Sequence, residues 1–470
     1  MANASLTRMS AGELVALVKS REITPVEILD AHLSVIDRIN PSLNAIVTLA
    51  TDDARKAALA AGDAVMRGDE TGPLHGLPIG IKDTTATAGI RTTYGSPLYK
   101  DNVPAEDAEA VRRLKAAGAI VVAKTNTPEF AAGANTVNPV FGATRNPWNP
   151  KLSSAGSSGG SAVAVATGML PLAQGTDFGC SVRMPAAFCG IVGIRPTPGL
   201  TPNYPAPLAW DPGSVHGPLA RSAEDAARML DAFVGFSRLS PVSVAPPWKS
   251  ALAEVAACQD AKGLRVAYVS DIAGIGVDSE IDSICRKTAL SLKDAGATVE
   301  DIQFDASEGR EPYQAWRGLW MVGQHFANLD HLEAFGANLQ GNVKGGLTVT
   351  PLELAKAEQM RAKLFLKFAD LFERYDLLLT PASPVKQFPV DQNFPTVING
   401  KTFANYTDWI AGSFLVTLMS LPGGSVPAGK TGDGLPVGMQ IVGARFEEPR
   451  ILSLAKIIQR MHPVGWPPIM

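Results

Sequence analysis

Apolar and polar positions alternate with helical spacing near the amino terminus of the chain. After Thr24, apolar side chains fall mainly on one helical face, at positions 28, 29, 35, 36 and 39. In three places a capping hydroxyl precedes a glutamate by three residues, which is a signal for a helix start. The three pairs are Ser10 with Glu13, Thr24 with Glu27, and Thr350 with Glu353. The sequence therefore predicts helices that begin just after residues 10, 24 and 350, the last of them running to about residue 374.

A helix, a glycine and a strand of mostly apolar residues follow one another twice along the chain. The first unit has a helical pattern over 107–117, then Gly118, then AIVVAKTN from Ala119. The second has the strand-like LRVAYVS, a helical pattern over 279–295, Gly296 and ATVEDIQ. This order is typical of α/β proteins, so we predict a mixed or mostly parallel sheet covered by helices. Near the end, SVPAGKTGDGLPVGMQIVG predicts a hairpin around a Gly-Asp-Gly turn.

Length and charge narrow the class of protein. At 470 residues the chain exceeds the size of an ordinary single core, which favours one large domain with insertions or two packed lobes. A net charge of -3 without a long basic run argues against a nucleic-acid partner. We find no uninterrupted apolar stretch near 18 residues, so we expect no membrane span and a cytoplasmic location. The four cysteines lack CxxC spacing and are interpreted as reduced thiols, neither disulfides nor a zinc site.

The stretch GSSGGSAVAV, residues 156–165, places serines and glycines in front of what we predict to be a buried helix. One hypothesis is an anion cradle, because backbone N–H groups at a helix start favour negative charge. The lysine of the phosphate-binding GxxxxGK[ST] pattern is missing, which argues against phosphate. A second interpretation is a flexible loop that only permits close packing.

Two further segments change that picture. GTDFGCSVRMP places Ser181 in a second turn, and PIGIKD upstream places Lys82 among apolar residues. A serine hydroxyl is a poor nucleophile until a base accepts its proton. A lysine serves as that base only if burial or a neighbouring cation lowers its pKa, because the ammonium form has no lone pair.

The segment GSSGGSAVAVATGMLPLAQGTDFGCSVRMPAAFCG, residues 156–190, together with GLPIGIKD, resembles the amidase signature family of serine hydrolases. The resemblance covers most of the chain. It implies one α/β/α domain over 1–470, with a signature core at about 75–200 and an excursion at about 236–345. It also implies Ser181 as nucleophile, Ser157 as a bridging serine in a cis peptide, Lys82 as the terminal base, and no metal or organic cofactor.

The resemblance assigns supporting roles to other residues. The oxyanion hole would consist of the backbone N–H groups of Phe178, Gly179, Cys180 and Ser181. Asp177 and Arg183 correspond to a polar pair that holds the turn, and Ala131 to a position beside the acyl group. Aromatic residues at 313, 316, 320 and 326 cluster in a predicted helix, which is either core packing or the roof of a substrate pocket that includes Trp316 and Trp320.

The chain departs from the family pattern at two positions. Cys180 and Ala155 each replace a common glycine, so we expect strain or a narrower pocket at the turn before Ser181. Cys180 is also an alternative nucleophile, although it is out of register. Six histidines leave a Ser-His-Asp triad to be considered, with His75 nearest to Lys82 in sequence, but no GxSxG elbow accompanies it.

These observations predict a stand-alone amide hydrolase that acts through a seryl acyl-enzyme. The substrate is expected to be a small amide with an apolar or aromatic part; esters, anilides, hydrazides and urea-like bonds are not excluded. One alternative is the glutamine-hydrolysing component of a tRNA-dependent amidotransferase. Another is a non-catalytic binding scaffold on the same fold. A homodimer is a reasonable expectation.

Overall fold

An eleven-stranded mixed sheet forms the centre of the computed structural model, which describes residues 6–469. Its strand order is β1-β3-β2-β6-β8-β7-β14-β15-β11-β9-β10. Two short hairpins, β4 with β5 and β12 with β13, lie outside it. The strands are β1 Ile46–Leu49, β2 Pro78–Lys82, β3 Ile120–Thr125, β4 Val137–Asn138, β5 Gly142–Ala143, β6 Leu172–Asp177, β7 Val192–Arg195, β8 Val215–Ala220, β9 Arg265–Tyr268, β10 Thr298–Asp301, β11 Leu377–Pro381, β12 Val397–Ile398, β13 Lys401–Thr402, β14 Gly423–Lys430 and β15 Pro436–Gly443.

The sheet is parallel near its two flanks and antiparallel in its middle. Strands β3, β2 and β6 run parallel on one side, and β11, β9 and β10 run parallel on the other. The strands between them, from β6 through β8, β7, β14 and β15 to β11, pair antiparallel. The prediction of a mixed sheet covered by helices is confirmed. The predicted hairpin is also confirmed as β14 and β15, which pair from Gly423 with Val442 to Lys430 with Pro436.

Helices pack against the sheet and against one another. The three predicted helix starts are confirmed, since Ser10, Thr24 and Thr350 each form a complete capping box. Within residues 6–469 the α-helices are α1 Ala11–Lys19, α2 Pro25–Leu43, α3 Thr51–Arg67, α4 Glu109–Ala116, α5 Gly159–Ala166, α6 Arg183–Cys189, α7 Ala223–Phe233, α8 Ala251–Ala257, α9 Ser279–Ser291, α10 Arg310–Gln324, α11 Ala337–Leu347, α12 Pro351–Arg374, α13 Ala411–Leu418 and α14 Glu448–Met461.

The segment from 236 to 345 contributes directly to the sheet, because it contains β9 and β10. It also contains α10 and most of α11, and α10 lies beside the candidate site described below. The aromatic cluster is not confined to one helix as expected. Phe326 lies beyond α10 in a short 3-10 segment and is 74% exposed, so it belongs neither to the core nor to a pocket roof.

The register of the parallel flank brings polar groups together at one edge. Ile81 in β2 pairs with Lys124 in β3 and with Gln174 in β6, so the carboxyl ends of these strands meet. In open α/β sheets ligands commonly bind outside the carboxyl ends of strands. Lys82 is the last residue of β2 and Asp177 the last of β6.

No helix in the described part of the chain is long and apolar enough to cross a membrane.

Candidate active site

Lys82 is fully buried at the end of β2, and its amine contacts two hydroxyl groups. Its Nζ donates to Ser157 Oγ at 2.5 Å and to Thr176 Oγ1 at 2.9 Å. Loss of hydration lowers the pKa of Lys82 from 10.5 to about 7, and the charge of Asp177 only partly opposes that shift. A substantial fraction of the amine is therefore neutral near pH 7 and able to accept a proton.

Ser157 lies shortly before α5, in the loop rich in glycine and serine that begins at residue 156. Its side chain is buried, and the Gly156–Ser157 peptide bond is cis, as the resemblance implies. The N–H of Ser158 donates to the carbonyl of Ser181 at 3.1 Å. This hydrogen bond ties the loop that carries Ser157 to the turn that carries Ser181.

The first two N–H groups of α5 are occupied within the protein. The N–H of Gly159 donates to Thr136 Oγ1 at 3.1 Å, and that of Gly160 to the carbonyl of Asn126 at 3.2 Å. These donors face packed chain segments and are not presented to a ligand. These contacts argue against the anion-cradle hypothesis for this loop, and its glycines allow close approach of the backbone.

Replacing Gly160 with alanine is expected to destabilise the fold. A Cβ at this position would stand 2.3 Å from the amide nitrogen of Asn126 and 2.6 Å from the carbonyl oxygen of Ala45, both of them backbone atoms. We expect a loss of at least about 2 kcal/mol in the free energy of unfolding, measured in urea. Gly62→Ala in α3 is the matched control, since its Cβ would meet only Pro25 Cδ at 3.7 Å. The control is expected to gain about 0.5–1 kcal/mol. Equal effects of the two substitutions would contradict the steric role of Gly160.

Ser181 lies in the turn between β6 and α6 and is partly exposed to a cavity of about 50 Å³. Among the residues that the structure describes, no acceptor pairs with the backbone N–H groups of residues 178–181. Four adjacent amides without partners form a site that can receive a developing negative charge. Ser157, Thr176 and the backbone of this turn line the same cavity.

A buried ion pair between Asp177 and Arg183 holds the backbone of this turn in place. The Arg183 guanidinium donates to both carboxylate oxygens of Asp177, at 2.8 and 3.1 Å, and to the carbonyl of Gly179 at 2.9 Å. Asp177 also accepts from the N–H of Val182, and Arg195 donates to its carbonyl. Although burial opposes it, the nearby arginines hold the pKa of Asp177 below its usual range. Both expected supporting residues thus hold the backbone, and neither lines the cavity.

The two departures from the family pattern behave differently from each other. Cys180 does not adopt a left-handed backbone conformation, so the expected strain is absent there. Ala155 does, with φ of 58°, and the strain lies in the loop that carries Ser157 instead. Burial and the charge of Asp177 raise the pKa of the Cys180 thiol to about 12, and its Sγ donates to the carbonyl of Gly156 at 3.5 Å. Cys180 is therefore a protonated thiol, which argues against it as the nucleophile.

The expected substrate-pocket residues divide into two groups. Ala131 and Trp320 line the cavity, and Trp320 stacks on Phe178 with ring centroids 4.2 Å apart. Trp316 does not line the cavity; it stacks against Phe178 at 5.0 Å and supports that ring. The roof also contains Phe130, Met321, Tyr406 and Ile410, which the sequence did not single out.

Thr176 and Arg317 are further polar residues of the site that sequence reasoning missed. Thr176 could have been found from its position at the end of β6, one residue before Asp177. Arg317 also lines the cavity. In the sequence of α10 it lies between Trp316 and Trp320, and this position among aromatic residues was the only signal for it.

The histidines take no part in the site. Among the described residues, no histidine lines the cavity. His75 contacts the carbonyl of Ala61, and His216 contacts Gln174, so neither contacts a serine hydroxyl. This arrangement argues against a Ser-His-Asp triad.

Known proteins are similar to this chain over nearly its whole length. The Amidase family model matches residues 27–452. An acylamidase of Rhodococcus erythropolis is 33% identical over 473 residues, covering 98% of this chain and 97% of that protein. A glutamyl-tRNA(Gln) amidotransferase subunit of Geobacillus stearothermophilus is 33% identical over 483 residues, covering 97% of this chain and 98% of that protein. Among solved structures, a bacterial aryl acylamidase of the amidase signature family aligns with a TM-score of 0.90 and 28% identity, covering 97% of this chain and 96% of its own.

Proposed function

The chain belongs to the amidase family and hydrolyses amide bonds, and on that premise we propose that Ser181 is the nucleophile, Ser157 the bridging serine and Lys82 the terminal base. One observation carries the assignment. Lys82 Nζ lies 2.5 Å from Ser157 Oγ. Ser157 and Ser181 both line the same cavity.

The reaction proceeds by two acyl transfers. Neutral Lys82 accepts the proton of Ser157 while Ser157 accepts that of Ser181, whose Oγ forms a bond to the amide carbon. The carbonyl electrons move onto the oxygen, and the amides of the turn at 178–181 stabilise that oxyanion, at typically about 3–4 kcal/mol for one such donor. The carbon–nitrogen bond then breaks, and the proton returns from Lys82 through Ser157 to the leaving amine. Water attacks the acyl-enzyme by the same route and releases the acid.

The lining of the cavity supports a substrate with an aromatic or apolar part. Phe130, Phe178 and Trp320 present rings, while Met321 and Ile410 present aliphatic surface. Flat rings stack on such surfaces with little loss of side-chain freedom. The small side chain of Ala131 leaves room beside them. We therefore propose aryl acylamides as the substrate class.

A panel of 4-nitroanilides tests this class. The acetyl, propionyl and benzoyl anilides are expected to be hydrolysed with release of 4-nitroaniline, followed by absorbance. Trp320→Ala is expected to raise KM for the benzoyl anilide at least about 10-fold through loss of ring stacking, with a smaller effect on free L-alaninamide. Leu319→Ala on the exposed face of α10 is the matched control. Hydrolysis of aliphatic amides alone, with no anilide cleaved, would contradict the proposal.

Glutamine hydrolysis within an amidotransferase is the second candidate function, because several relatives similar over nearly the full chain carry that name. L-glutamine is therefore included in the panel, with ammonia as the readout. Cleavage of glutamine together with inertness toward every anilide would favour the amidotransferase function. Cleavage of anilides by the isolated chain would favour the stand-alone enzyme.

A further inference from the structure

Arg317 on α10 is a buried guanidinium on the wall of the same cavity that Ser181 lines. Three arginines of residues 6–469 are buried: Arg183, Arg195 and Arg317. The first two lie 2.8 and 3.7 Å from the Asp177 carboxylate. Arg317 alone among the three forms no ion pair with any described residue. A buried charge without an opposite charge is costly, so its position in a ligand cavity calls for an explanation.

The protein partners of Arg317 are all neutral. Its Nε donates to Asn342 Oδ1 at 3.0 Å, Nη1 to the Tyr313 hydroxyl at 3.2 Å and Nη2 to the Tyr406 hydroxyl at 2.6 Å. A guanidinium has five N–H groups, so these three bonds leave two without a partner among the described residues. The Arg317 Cζ also lies 5.5 Å from the Phe178 ring centroid. Such a cation–π contact recovers only part of the hydration that burial removes.

Tyr406 adds a third donor to this wall. Its hydroxyl oxygen accepts from Arg317 and also from Asn342 Nδ2 at 2.9 Å, which occupies both lone pairs. Only the proton of the hydroxyl remains, and Tyr406 lines the cavity. The wall formed by Arg317 and Tyr406 thus offers N–H and O–H donors, a combination that matches a carboxylate.

The carboxylates nearest to Arg317 do not neutralise its charge. Arg317 and Tyr406 also line a larger cavity of about 540 Å³, whose lining includes Glu311 and Glu353. Glu311 pairs with Lys356 at 2.6 Å, and Glu353 caps the first turn of α12. Asp211 accepts from Trp320 and from the backbone N–H groups of residues 213 and 214. Each of these carboxylates is thus engaged elsewhere.

We infer that Arg317 and Tyr406 bind a carboxylate that the substrate carries a few bonds away from the scissile amide. Arg317 and Ser181 line the same cavity, so the carboxylate and the scissile amide belong to one small substrate. The inference rests on the proposed function and narrows its substrate class to acidic amides. The same chemistry would let a free short-chain carboxylate compete for the site.

Matched substrates test the inference. Succinyl and glutaryl 4-nitroanilide carry a carboxylate, whereas 4-methylpentanoyl and 5-methylhexanoyl 4-nitroanilide replace it with an isopropyl group of similar shape. A second pair, 4-acetamidobenzoate and 4-methylacetanilide, places the carboxylate on the amine side. Wild-type enzyme is expected to prefer the acidic member of at least one pair by about 10- to 100-fold in kcat/KM, mainly through KM.

Variants of Arg317 and Tyr406 test whether these two residues cause the preference for acidic substrates. Arg317→Gln should bring the preference to about one, Arg317→Lys should restore part of it, and Tyr406→Phe should reduce it. Arg286→Gln is the matched control, because Arg286 also lies over a tyrosine ring but pairs with Asp282 far from the cavity. If Arg317→Gln lowers both members of every pair equally, Arg317 only supports Tyr313 and the turn, and the inference is overturned.

A binding measurement separates this inference from the proposed function. Calorimetric titration of Ser181→Ala with pentanoate and with the neutral pentan-1-ol of similar length needs no catalysis. Tighter binding of pentanoate that disappears with Arg317→Gln supports the carboxylate site even if no anilide is cleaved. Equal binding of the acid and the alcohol, together with no acidic preference in the wild-type kinetics, overturns it. Failure of the wild-type enzyme to cleave any amide would count against the proposed function alone.

Discussion

Replacing Lys82 with methionine is expected to lower kcat/KM for an anilide by at least about 10³-fold. Methionine keeps the volume and the buried environment but removes the group that accepts the proton of Ser157, which lies 2.5 Å away. Lys82→Arg should be equally inactive, because a guanidinium stays protonated at every pH at which the protein is folded. Initial rates with each variant, at saturating and limiting anilide, measure the loss.

The pH dependence of the wild-type enzyme identifies the same group. Only the neutral amine is a base, so kcat/KM should rise with pH with a midpoint near 7, the value to which burial lowers the pKa of Lys82. Lys124 provides the control. It is also buried, with its pKa lowered by burial to about 7, but it contacts Thr85, Thr87 and Thr92 rather than a serine of the site. Lys124→Met should keep the midpoint; a midpoint that moves in this variant would contradict the assignment to Lys82.

The lowered pKa also predicts how Lys82 affects stability. Between about pH 7 and 10.5 the unfolded chain binds this proton and the folded chain does not, so folding must release it. The resulting penalty is largest below pH 7 and decreases as pH rises toward 10.5. Lys82→Met should therefore gain stability relative to the wild-type protein at pH 6, and the gain should shrink at pH 9. Urea unfolding at the two pH values measures the difference, and a gain that grows with pH would contradict the burial of a proton-binding amine.

Ser181→Ala should abolish amide hydrolysis, with a fall in kcat of about 10⁴-fold or more. The variant removes the oxygen that forms the acyl-enzyme but leaves the backbone amides of the turn in place. Cys180→Ala is the neighbouring control, since the thiol is protonated and its Sγ donates to the carbonyl of Gly156. It should retain activity within about 10-fold of the wild-type enzyme.

The opposite pattern of activity in these two variants would contradict the assignment of Ser181 as the nucleophile. Loss of activity in Cys180→Ala with retention in Ser181→Ala would make the thiol the nucleophile. It would also require a thiolate in a site where burial and Asp177 raise the thiol pKa. Sensitivity of the wild-type enzyme to iodoacetamide provides a further check, and we expect none.

Local sequence signals predicted the elements of the fold but not their arrangement. The capping boxes at Ser10, Thr24 and Thr350 each begin a helix, because a hydroxyl and a carboxylate three residues apart satisfy the first N–H groups. Strand order could not be derived in the same way. Pairs such as Gly423 with Arg195 join residues far apart in the chain, and an apolar strand carries no mark of its neighbours. The mixed sheet was therefore predicted as a class and not as an order.

The candidate site was predictable where its residues are contiguous. The segment at 156–190 carries both serines and the turn, and the parallel pairing of β2 with β6 brings Lys82 to them. The far wall was not predictable, since Arg317 and Tyr406 reach the cavity from α10 and from a loop before α13. The expectation of strain at Cys180 was wrong for a related reason. Cys180 and Ala155 both replace a common glycine, and the sequence does not show which of them needs a left-handed backbone conformation. The backbone angles place that conformation at Ala155.

Covalent labelling of the nucleophile tests the central claim most directly. Wild-type protein, Ser181→Ala, Lys82→Arg and Cys180→Ala are treated with a fluorophosphonate, and intact mass and peptide mapping follow. We expect one adduct on Ser181 in the wild-type protein and in Cys180→Ala, none in Ser181→Ala, and strongly slowed labelling in Lys82→Arg. An adduct on any other residue, or labelling of Lys82→Arg at the wild-type rate, would contradict a Ser181 nucleophile activated by Lys82.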